Sequence, residues 1–206
     1  MSRTRITLCA SIGLALLLAG CAADGTLRTY SMSYHSVKDA GYQVPSIPPG
    51  KVSRKYHRAL VQYETKEKPG TIIVDTKGKY LYFVMEGGKA MRYGIGVGRE
   101  GFTWSGVARI GAKRKWPTWT PPPEMIKRDP RTAKWRNGQP GGLKNPLGAR
   151  ALYLYNKSGD TGYRLHGSPE YWSIGGNVSS GCIRMINQDV IDLYERAETG
   201  AKVIVL

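Results

Sequence analysis

A cysteine and a histidine lie close together in residues 165–187, which read LHGSPEYWSIGGNVSSGCIRMIN. The chain has only three Cys and three His among its 206 residues, so the closeness of His166 and Cys182 suggests a catalytic pair. A cysteine nucleophile needs a base to take its proton and donors to stabilise the oxyanion on the attacked carbonyl. His166 is the expected base, and the backbone N–H groups of Gly181 and Cys182 are the expected donors. A buried, inert cysteine is the alternative.

Short β-branched and aromatic runs separated by glycine turns should position these two residues. Strands are predicted over residues 71–75, 80–85, 91–97, 106–110, 151–155, 163–167 and 201–206. His166 therefore falls at the end of a strand. The turn formers Gly175, Gly176 and Asn177 allow the chain to fold back and bring Cys182 near the imidazole.

One helix is predicted after the cysteine, with Asn187 as its N-cap and Gly200 as its terminator. Its apolar face is expected to contain Val190, Leu193, Tyr194 and Ala197. Cys182 lies a few residues before the helix, so we expect the helix N-terminus to stabilise its thiolate.

Residues 116–145 form a long connection rich in Pro, Trp, Lys and Arg, which includes WPTWTPPP and has no regular period. A connection of this length is usually functional or disordered. Its tryptophans favour an ordered lid.

The N-terminus has the pattern of a targeting signal. Arg3 and Arg5 precede an apolar run over residues 6–19 that is short for a membrane span. The run ends in small residues before Cys21, as in the lipobox of bacterial lipoproteins. We therefore predict a signal peptide over residues 1–20, a lipid on Cys21, a flexible tether over 21–66 and a catalytic domain over 67–206. An ordinary signal peptide and a transmembrane anchor are the alternatives.

The net charge of +16 falls by two, to about +14, if Arg3 and Arg5 are removed. A basic surface suits a polyanionic partner. The sequence has neither a recognition helix nor an aromatic RNA-binding motif, so we expect no nucleic-acid partner. Lys and Arg are scattered over residues 51–144 without a helical period, so a solvated surface is the simplest interpretation. Carboxylate-bearing cell-wall peptides or acidic lipid headgroups are the expected polyanions nearby. One Cys and one His are too few ligands for zinc, so no metal site is expected.

The residues His166-Gly167, a Gly-rich gap and then SSGCIR at 179–184 resemble the active-site signature of the L,D-transpeptidase catalytic domain, or YkuD domain. The resemblance to Gram-negative envelope lipoproteins of this family covers about residues 66–206. It implies a mainly β fold, a β-sandwich of mixed sheets with one helix beside the active site and the long Pro/Trp-rich insert as a lid.

The resemblance also implies roles for individual residues. Cys182 is the nucleophile and His166 the base, and the substrate is contacted by Arg184, Ser179, Ser180 and Gly167. Many members of the family have His where Ser180 stands, which leaves the fine specificity open.

The implied reaction is acyl transfer on peptidoglycan stem peptides. The thiolate attacks the bond between diaminopimelate and D-Ala in a tetrapeptide stem, and D-Ala leaves a thioester behind. The acceptor amine belongs to another stem, giving a 3-3 cross-link, or to a protein. No cofactor is required, and carbapenems are expected to acylate the same thiol.

Two other functions remain open: a hydrolase on the same scaffold, in which water resolves the thioester, and a non-catalytic wall-binding lipoprotein. In each case the expected location is the periplasmic face of the cell envelope, with the lipid of Cys21 in the inner or the outer membrane.

Overall fold

The structure, a computed structural model, describes residues 29–30, 34–99 and 104–206. The predicted signal peptide and the predicted lipidation site, Cys21, lie outside these residues. The strands are β1 (Thr29–Tyr30), β2 (Val37–Asp39), β3 (Tyr42–Val44), β4 (Ala59–Gln62), β5 (Ile72–Asp75), β6 (Tyr80–Met85), β7 (Lys89–Gly98), β8 (Gly106–Lys115), β9 (Arg150–Asn156), β10 (Gly159–Ser168), β11 (Asn177–Ser179), β12 (Ile183–Ile186) and β13 (Lys202–Val205). The α-helices are α1 (Pro123–Arg128) and α2 (Asn187–Arg196), and 3-10 helices span Arg54–Tyr56, Pro130–Trp135 and Tyr171–Ser173.

Most of the strands form one sheet that closes on itself. The order around the ring is β7-β12-β10-β9-β8-β13-β5-β6, and β6 pairs back to β7. Strands β4 and β11 also pair with β7, and β1 pairs with β4. Three pairs are parallel, β10–β12, β13–β5 and β11–β7, whereas the other pairs are antiparallel. The prediction of a mainly β fold with mixed pairing is confirmed.

The core lies inside this ring and is closed by the apolar face of α2. Successive side chains of a strand point to opposite faces, so buried residues alternate with residues that face away from the core. Leu165 and Met185 are fully buried in the core, whereas their neighbours His166 and Arg184 face the candidate site. Within the described part of the chain, no helix has both the length and the apolar character needed to span a membrane.

All seven predicted strands are present, but β12 was not predicted. It separates Cys182 from α2, and four strand residues at about 3.3 Å each put the helix N-terminus roughly 13 Å from the cysteine. The expectation that the helix N-terminus stabilises the Cys182 thiolate is therefore wrong. The predicted helix is present, with Val190 and Leu193 buried on its inner face, but its N-cap is Ile186 rather than Asn187 and it ends at Arg196, before Gly200. The Asn187 side chain instead accepts a hydrogen bond from the Ala149 N–H.

Residues 34–66, predicted as part of a flexible tether, instead pack against the domain as the β2–β3 hairpin, a 3-10 helix and β4. The Tyr34 hydroxyl donates to Asp189 Oδ2 at 2.9 Å. The Gln188 side chain donates to the carbonyls of His35 and Pro45 at 3.1 and 3.0 Å. Prolines interrupt any regular period in this segment, but the first turn of α2 supplies the polar partners that order it.

Candidate active site

A cavity of about 660 Å³ lies between the outer face of β10 and the insert, residues 116–145. Strand β10 contributes alternate residues to it, because only every second residue faces the cavity. These residues are Gly162, Arg164, His166 and Ser168. Cys182, which directly precedes β12, and Arg184, within β12, line the same cavity. The opposite wall contains Thr118, Trp119, Thr120, Pro122, Met125 and Lys144.

The pairing of β10 with β12 brings the two predicted catalytic residues together. His166 lies opposite Arg184 in the parallel register, and Cys182 precedes Arg184 by two residues. Strands about 4.8 Å apart with a rise of about 3.3 Å per residue place the Cα atoms of His166 and Cys182 about 8 Å apart. Both side chains line the same cavity, so a short thiol and an imidazole can approach each other there.

The His166 ring is oriented by the backbone. Its Nδ1 lies 2.6 Å from the carbonyl oxygen of Gly167. A carbonyl oxygen only accepts, so Nδ1 carries the proton and Nε2 keeps the lone pair that can accept one. Burial lowers the pKa of His166 to about 4. The positive charges of Arg184 and Arg164 also lower this pKa, whereas the hydrogen bond to Gly167 raises it. At neutral pH the imidazole is therefore an uncharged base.

The Cys182 side chain is half-buried, with Sγ 4.0 Å from the Gly162 carbonyl oxygen. Burial raises the pKa of the Cys182 thiol, and the backbone N–H of Arg164 and the charges of Arg164 and Arg184 oppose that rise. The resting group is thus a thiol rather than the thiolate expected from the sequence. Its proton has to be removed as the attack proceeds, which is the task of a neutral base.

Ser179 holds the loop that carries the cysteine. Its buried hydroxyl donates to the Cys182 carbonyl at 2.6 Å and accepts from the Gly181 N–H at 3.1 Å. Gly181 has φ +120°, a conformation that L side chains rarely adopt. The predicted oxyanion donor at Gly181 is therefore corrected, because its N–H is already engaged by Ser179. The N–H of Cys182 stays a prediction for that role.

Of the four predicted substrate-binding residues, three line the cavity and one does not. Ser179, Ser180 and Arg184 line the cavity, and the Ser180 hydroxyl accepts a hydrogen bond from Arg128 at 3.2 Å. Gly167 does not line it. A side chain at Gly167 would collide with Asn187 on the other face of β10, so its contribution to the site is the carbonyl that holds His166.

Several polar residues of the site were missed in the sequence. Arg164 lines the cavity, pairs with Asp160 at 2.6 and 2.8 Å, and lies over the Tyr153 ring at 4.2 Å. Glu170 pairs with Arg184 at 2.6 Å. Arg164 could have been found by the period of two, since it precedes His166 by two residues on a predicted strand. Glu170 follows that strand in a segment with no local signal.

The insert is ordered, as its tryptophans indicated. The buried side chain of Asn145 donates to the carbonyls of Pro117, Gln139 and Pro140 at 3.0 to 3.1 Å. Lys144, beside it, adds a third basic side chain to the cavity after Arg164 and Arg184. Because Arg164 is paired with Asp160 and Arg184 with Glu170, the excess positive charge of the cavity comes from Lys144. Among the described residues, no three His, Cys, Asp or Glu side chains are grouped to hold a metal ion.

The sequence model of the L,D-transpeptidase catalytic domain matches residues 69–205. A probable L,D-transpeptidase of Escherichia coli, YcfS, is 33% identical over 140 residues, which are 66% of this chain and 43% of that protein. A putative L,D-transpeptidase of Fuscovulum blasticum is 31% identical over 146 residues, 70% of this chain and 72% of that protein. The chain thus spans less than half the length of the first relative.

A solved structure from Brucella melitensis, described as a probable carnitine operon oxidoreductase, is 50% identical in sequence. The match covers 70% of this chain and 90% of that chain, with a TM-score of 0.49. A superposition at this TM-score supports no conclusion about function.

Proposed function

The chain belongs to the L,D-transpeptidase catalytic domain family, and from this premise we propose that it is a peptidoglycan L,D-transpeptidase with Cys182 as its nucleophile. The observation that carries the proposal is the cavity that both Cys182 and a neutral His166 line, with the Nδ1 proton of His166 on the Gly167 carbonyl. A thiol beside an oriented, uncharged imidazole is the arrangement that nucleophilic acyl transfer requires.

In the acylation step, Sγ of Cys182 attacks the carbonyl between diaminopimelate and the terminal D-Ala of a stem peptide. The thiol proton moves to Nε2 of His166 as the S–C bond forms. The oxyanion is stabilised by backbone donors, with the Cys182 N–H as the candidate among them. The proton then passes from Nε2 to the departing nitrogen, the C–N bond breaks, D-Ala leaves and a thioester remains.

In the second step, an amine attacks the thioester. Nε2 of His166 takes the amine proton as the new C–N bond forms, and it returns a proton to the sulfur as the C–S bond breaks. When the amine is the diaminopimelate side chain of a second stem, the product is a 3-3 cross-link. When the amine belongs to a protein, that protein becomes attached to the wall.

Stem peptides carry several carboxylates, and the cavity offers basic side chains to bind them. Arg164 and Arg184 flank the two catalytic residues, and Lys144 lies on the opposite wall. Arg164 shares its charge with Asp160 and Arg184 shares its charge with Glu170, whereas Lys144 brings an exposed ammonium group to the cavity. These charges favour an anionic donor over a neutral peptide.

The experiment that tests this function is incubation of the purified protein with disaccharide-tetrapeptide, followed by mass spectrometry of the products. The expected product is a cross-linked dimer, with one D-Ala released for each dimer. Cys182→Ala is the matched control and should leave the substrate unchanged.

The same experiment separates the alternatives. A tripeptide product without dimer would mean that water is the acceptor and that the protein is an L,D-carboxypeptidase. Unchanged substrate with the wild-type protein would favour a non-catalytic wall-binding protein, although a pure binder has no use for a histidine beside a free thiol.

The proposed location is the periplasmic face of the cell envelope, with the chain anchored through a lipid on Cys21. The pattern of Arg3, Arg5 and the apolar run before Cys21 supports this proposal. An anchored enzyme would work at the surface of the wall, where its donor and acceptor are both fixed.

A further inference from the structure

Residues 116–141 of the insert form a closed loop whose two ends touch. At its base, Gly141 packs so closely on Trp116 that a side chain at Gly141 would collide with the Trp116 carbonyl. One step further along the loop, Trp119 and Gln139 exchange two backbone hydrogen bonds at 2.9 and 2.7 Å. The segment that leaves this base, from Thr118 to Met125, forms the cavity wall opposite His166. The position of the base therefore sets the position of this wall.

The β2–β3 hairpin holds both ends of the base. The Trp116 indole N–H donates to Asp39 Oδ2 at 2.7 Å, and the Tyr42 hydroxyl donates to the Gly141 carbonyl at 3.0 Å. The Tyr42 and Trp116 rings also pack at a centroid distance of 4.1 Å. One side of the hairpin thus contacts the residue that opens the loop and the residue that closes it.

Trp116 has φ +45°, which is uncommon for a residue with a side chain. Such a conformation persists only where the surroundings fix it. Here the surroundings are the Asp39 carboxylate, the Tyr42 ring and the Ala149 carbonyl, which accepts the Trp116 N–H at 2.9 Å. Two of these three groups belong to the hairpin.

Asp39 is itself anchored in the sheet. Its two oxygens accept hydrogen bonds from Arg150, the first residue of β9, at 2.7 Å each. The Arg150 side chain is only 1% exposed, so this pair fixes the hairpin to the framework that carries β10. The hydrogen bonds from Arg150, followed by the one from Trp116, hold the pKa of Asp39 below its usual value.

From these contacts we infer that Asp39 and Tyr42 are positioning residues for the cavity wall at 118–125, and that the hairpin controls access to Cys182. The hairpin lies outside residues 69–205, the part that matches the family. It acts on the site only through the insert, since neither residue lines the cavity. The expected effect on substrate binding rests on the proposed function, whereas the positioning of the cavity wall by the hairpin does not.

The first test is hydrogen exchange in three variants of the purified protein. Tyr42→Phe keeps the ring and removes the hydrogen bond to Gly141, and Asp39→Asn weakens the contacts to Trp116 and Arg150. Gln43→Ala is the control, because Gln43 is an exposed hairpin residue whose side chain bonds only to Ser36 among its described contacts.

Loss of one hydrogen bond should speed exchange at the Trp119 and Gln139 amides by roughly 2- to 10-fold in Tyr42→Phe. Amides of β10 should exchange as in the wild type, as should all amides of Gln43→Ala. Unchanged exchange at Trp119 and Gln139, or equal acceleration across the sheet, would overturn the inference. Tyr42→Phe keeps this test decisive if Asp39→Asn fails to fold.

The second test compares two reagents on Cys182. Iodoacetamide is small and a fluorophore-bearing maleimide is bulky, so their rate ratio reports the width of the cavity. A displaced wall should change the bulky-to-small ratio in Tyr42→Phe by roughly 2- to 10-fold, while the iodoacetamide rate stays as in the wild type. An unchanged ratio would contradict the inference.

Neither test needs a wall peptide, so they can succeed even if the wild-type protein has no turnover and the proposed function fails. If turnover is present, Tyr42→Phe should raise KM for the tetrapeptide several-fold, roughly as one lost hydrogen bond allows, with little change in kcat. An equal fall in kcat would instead mean that the hairpin affects the reacting groups themselves.

Discussion

The His166 imidazole donates its Nδ1 proton to the carbonyl of the next residue, Gly167, across 2.6 Å. The proposed base is thus oriented by a main-chain carbonyl rather than by a carboxylate. Burial lowers the pKa of His166 to about 4, and the hydrogen bond to the neutral Gly167 carbonyl opposes this shift only in part. The base is therefore neutral before the reaction, as is the thiol that it serves.

Replacing Cys182 with Ala should abolish turnover and leave the fold intact, because the half-buried thiol makes no contact that the core depends on. Cys182→Ser should also be nearly inactive, since a hydroxyl is a much weaker nucleophile at neutral pH. Product formation from tetrapeptide and the circular dichroism spectrum measure the two effects. Measurable turnover by the Ala variant would exclude the covalent mechanism.

Removing the Ser179 hydroxyl should loosen the loop that carries the nucleophile. Ser179→Ala leaves the Gly181 N–H and the Cys182 carbonyl without their shared partner, which should lower the free energy of unfolding by about 1–3 kcal/mol. It should also slow acylation, because Cys182 is no longer held in place. Ser179→Thr keeps the hydroxyl and serves as the control. Equal acylation rates in the Ala and wild-type proteins would show that the two hydrogen bonds of the Ser179 hydroxyl have no catalytic role.

The depressed pKa of His166 predicts a change of stability with pH. Below pH 6.5 the unfolded chain binds a proton that the folded chain takes up only near its pKa of about 4. The contribution of His166 to the free energy of unfolding is therefore fully present above pH 6.5 and is lost as the pH falls towards 4. Denaturant titrations of wild type and His166→Gln at pH 7 and pH 5 test this. The free energy of unfolding of the wild type, relative to that of His166→Gln, should be lower at pH 5 than at pH 7. A difference that does not change with pH would contradict this prediction.

The sequence was sufficient to predict that Cys182 and His166 share a site, but not the surroundings of these two residues. Cys182 and His166 stood out because both residue types are rare in the chain, and the period of the predicted strands put His166 on β10. The engagement of the Gly181 N–H by Ser179 depends on a loop conformation that no local pattern specifies. Strand β12 was missed because its four residues lie directly between a loop and a helix.

The ordered N-terminal segment could not be predicted for a different reason. Its contacts come from distant parts of the chain, as with Tyr34 and Asp189, which are 155 positions apart. Residues that break a regular period look flexible when they are considered alone. The polar partners of this segment, Gln188 and Asp189 in the first turn of α2, are buried in the structure, but no sequence pattern marks them as buried.

Anchoring through Cys21 predicts a protein with lipid mass on that residue that sediments with membranes. Cys21→Ser should stop maturation or release a soluble form, because the thiol is the point of lipid attachment. Membrane fractionation and intact mass measure this result, and Cys182→Ser is the control for loss of a thiol elsewhere. An unaltered protein that is soluble in the periplasm, with no mass added at Cys21, would exclude the anchor.

Carbapenem acylation, followed by intact mass as a function of pH, tests whether Cys182 attacks a carbonyl while His166 takes its proton. A strained β-lactam carbonyl substitutes for the peptide, so the wild type should gain one adduct on Cys182. Burial raises the pKa of the Cys182 thiol, so direct ionisation should contribute only above about pH 8.5. At pH 7, His166→Gln should react about 10² to 10⁴ times more slowly, and its rate should approach that of the wild type at high pH. Superimposable pH curves for the two proteins would mean that His166 does not take the thiol proton, and an adduct on another residue would mean that Cys182 is not the nucleophile.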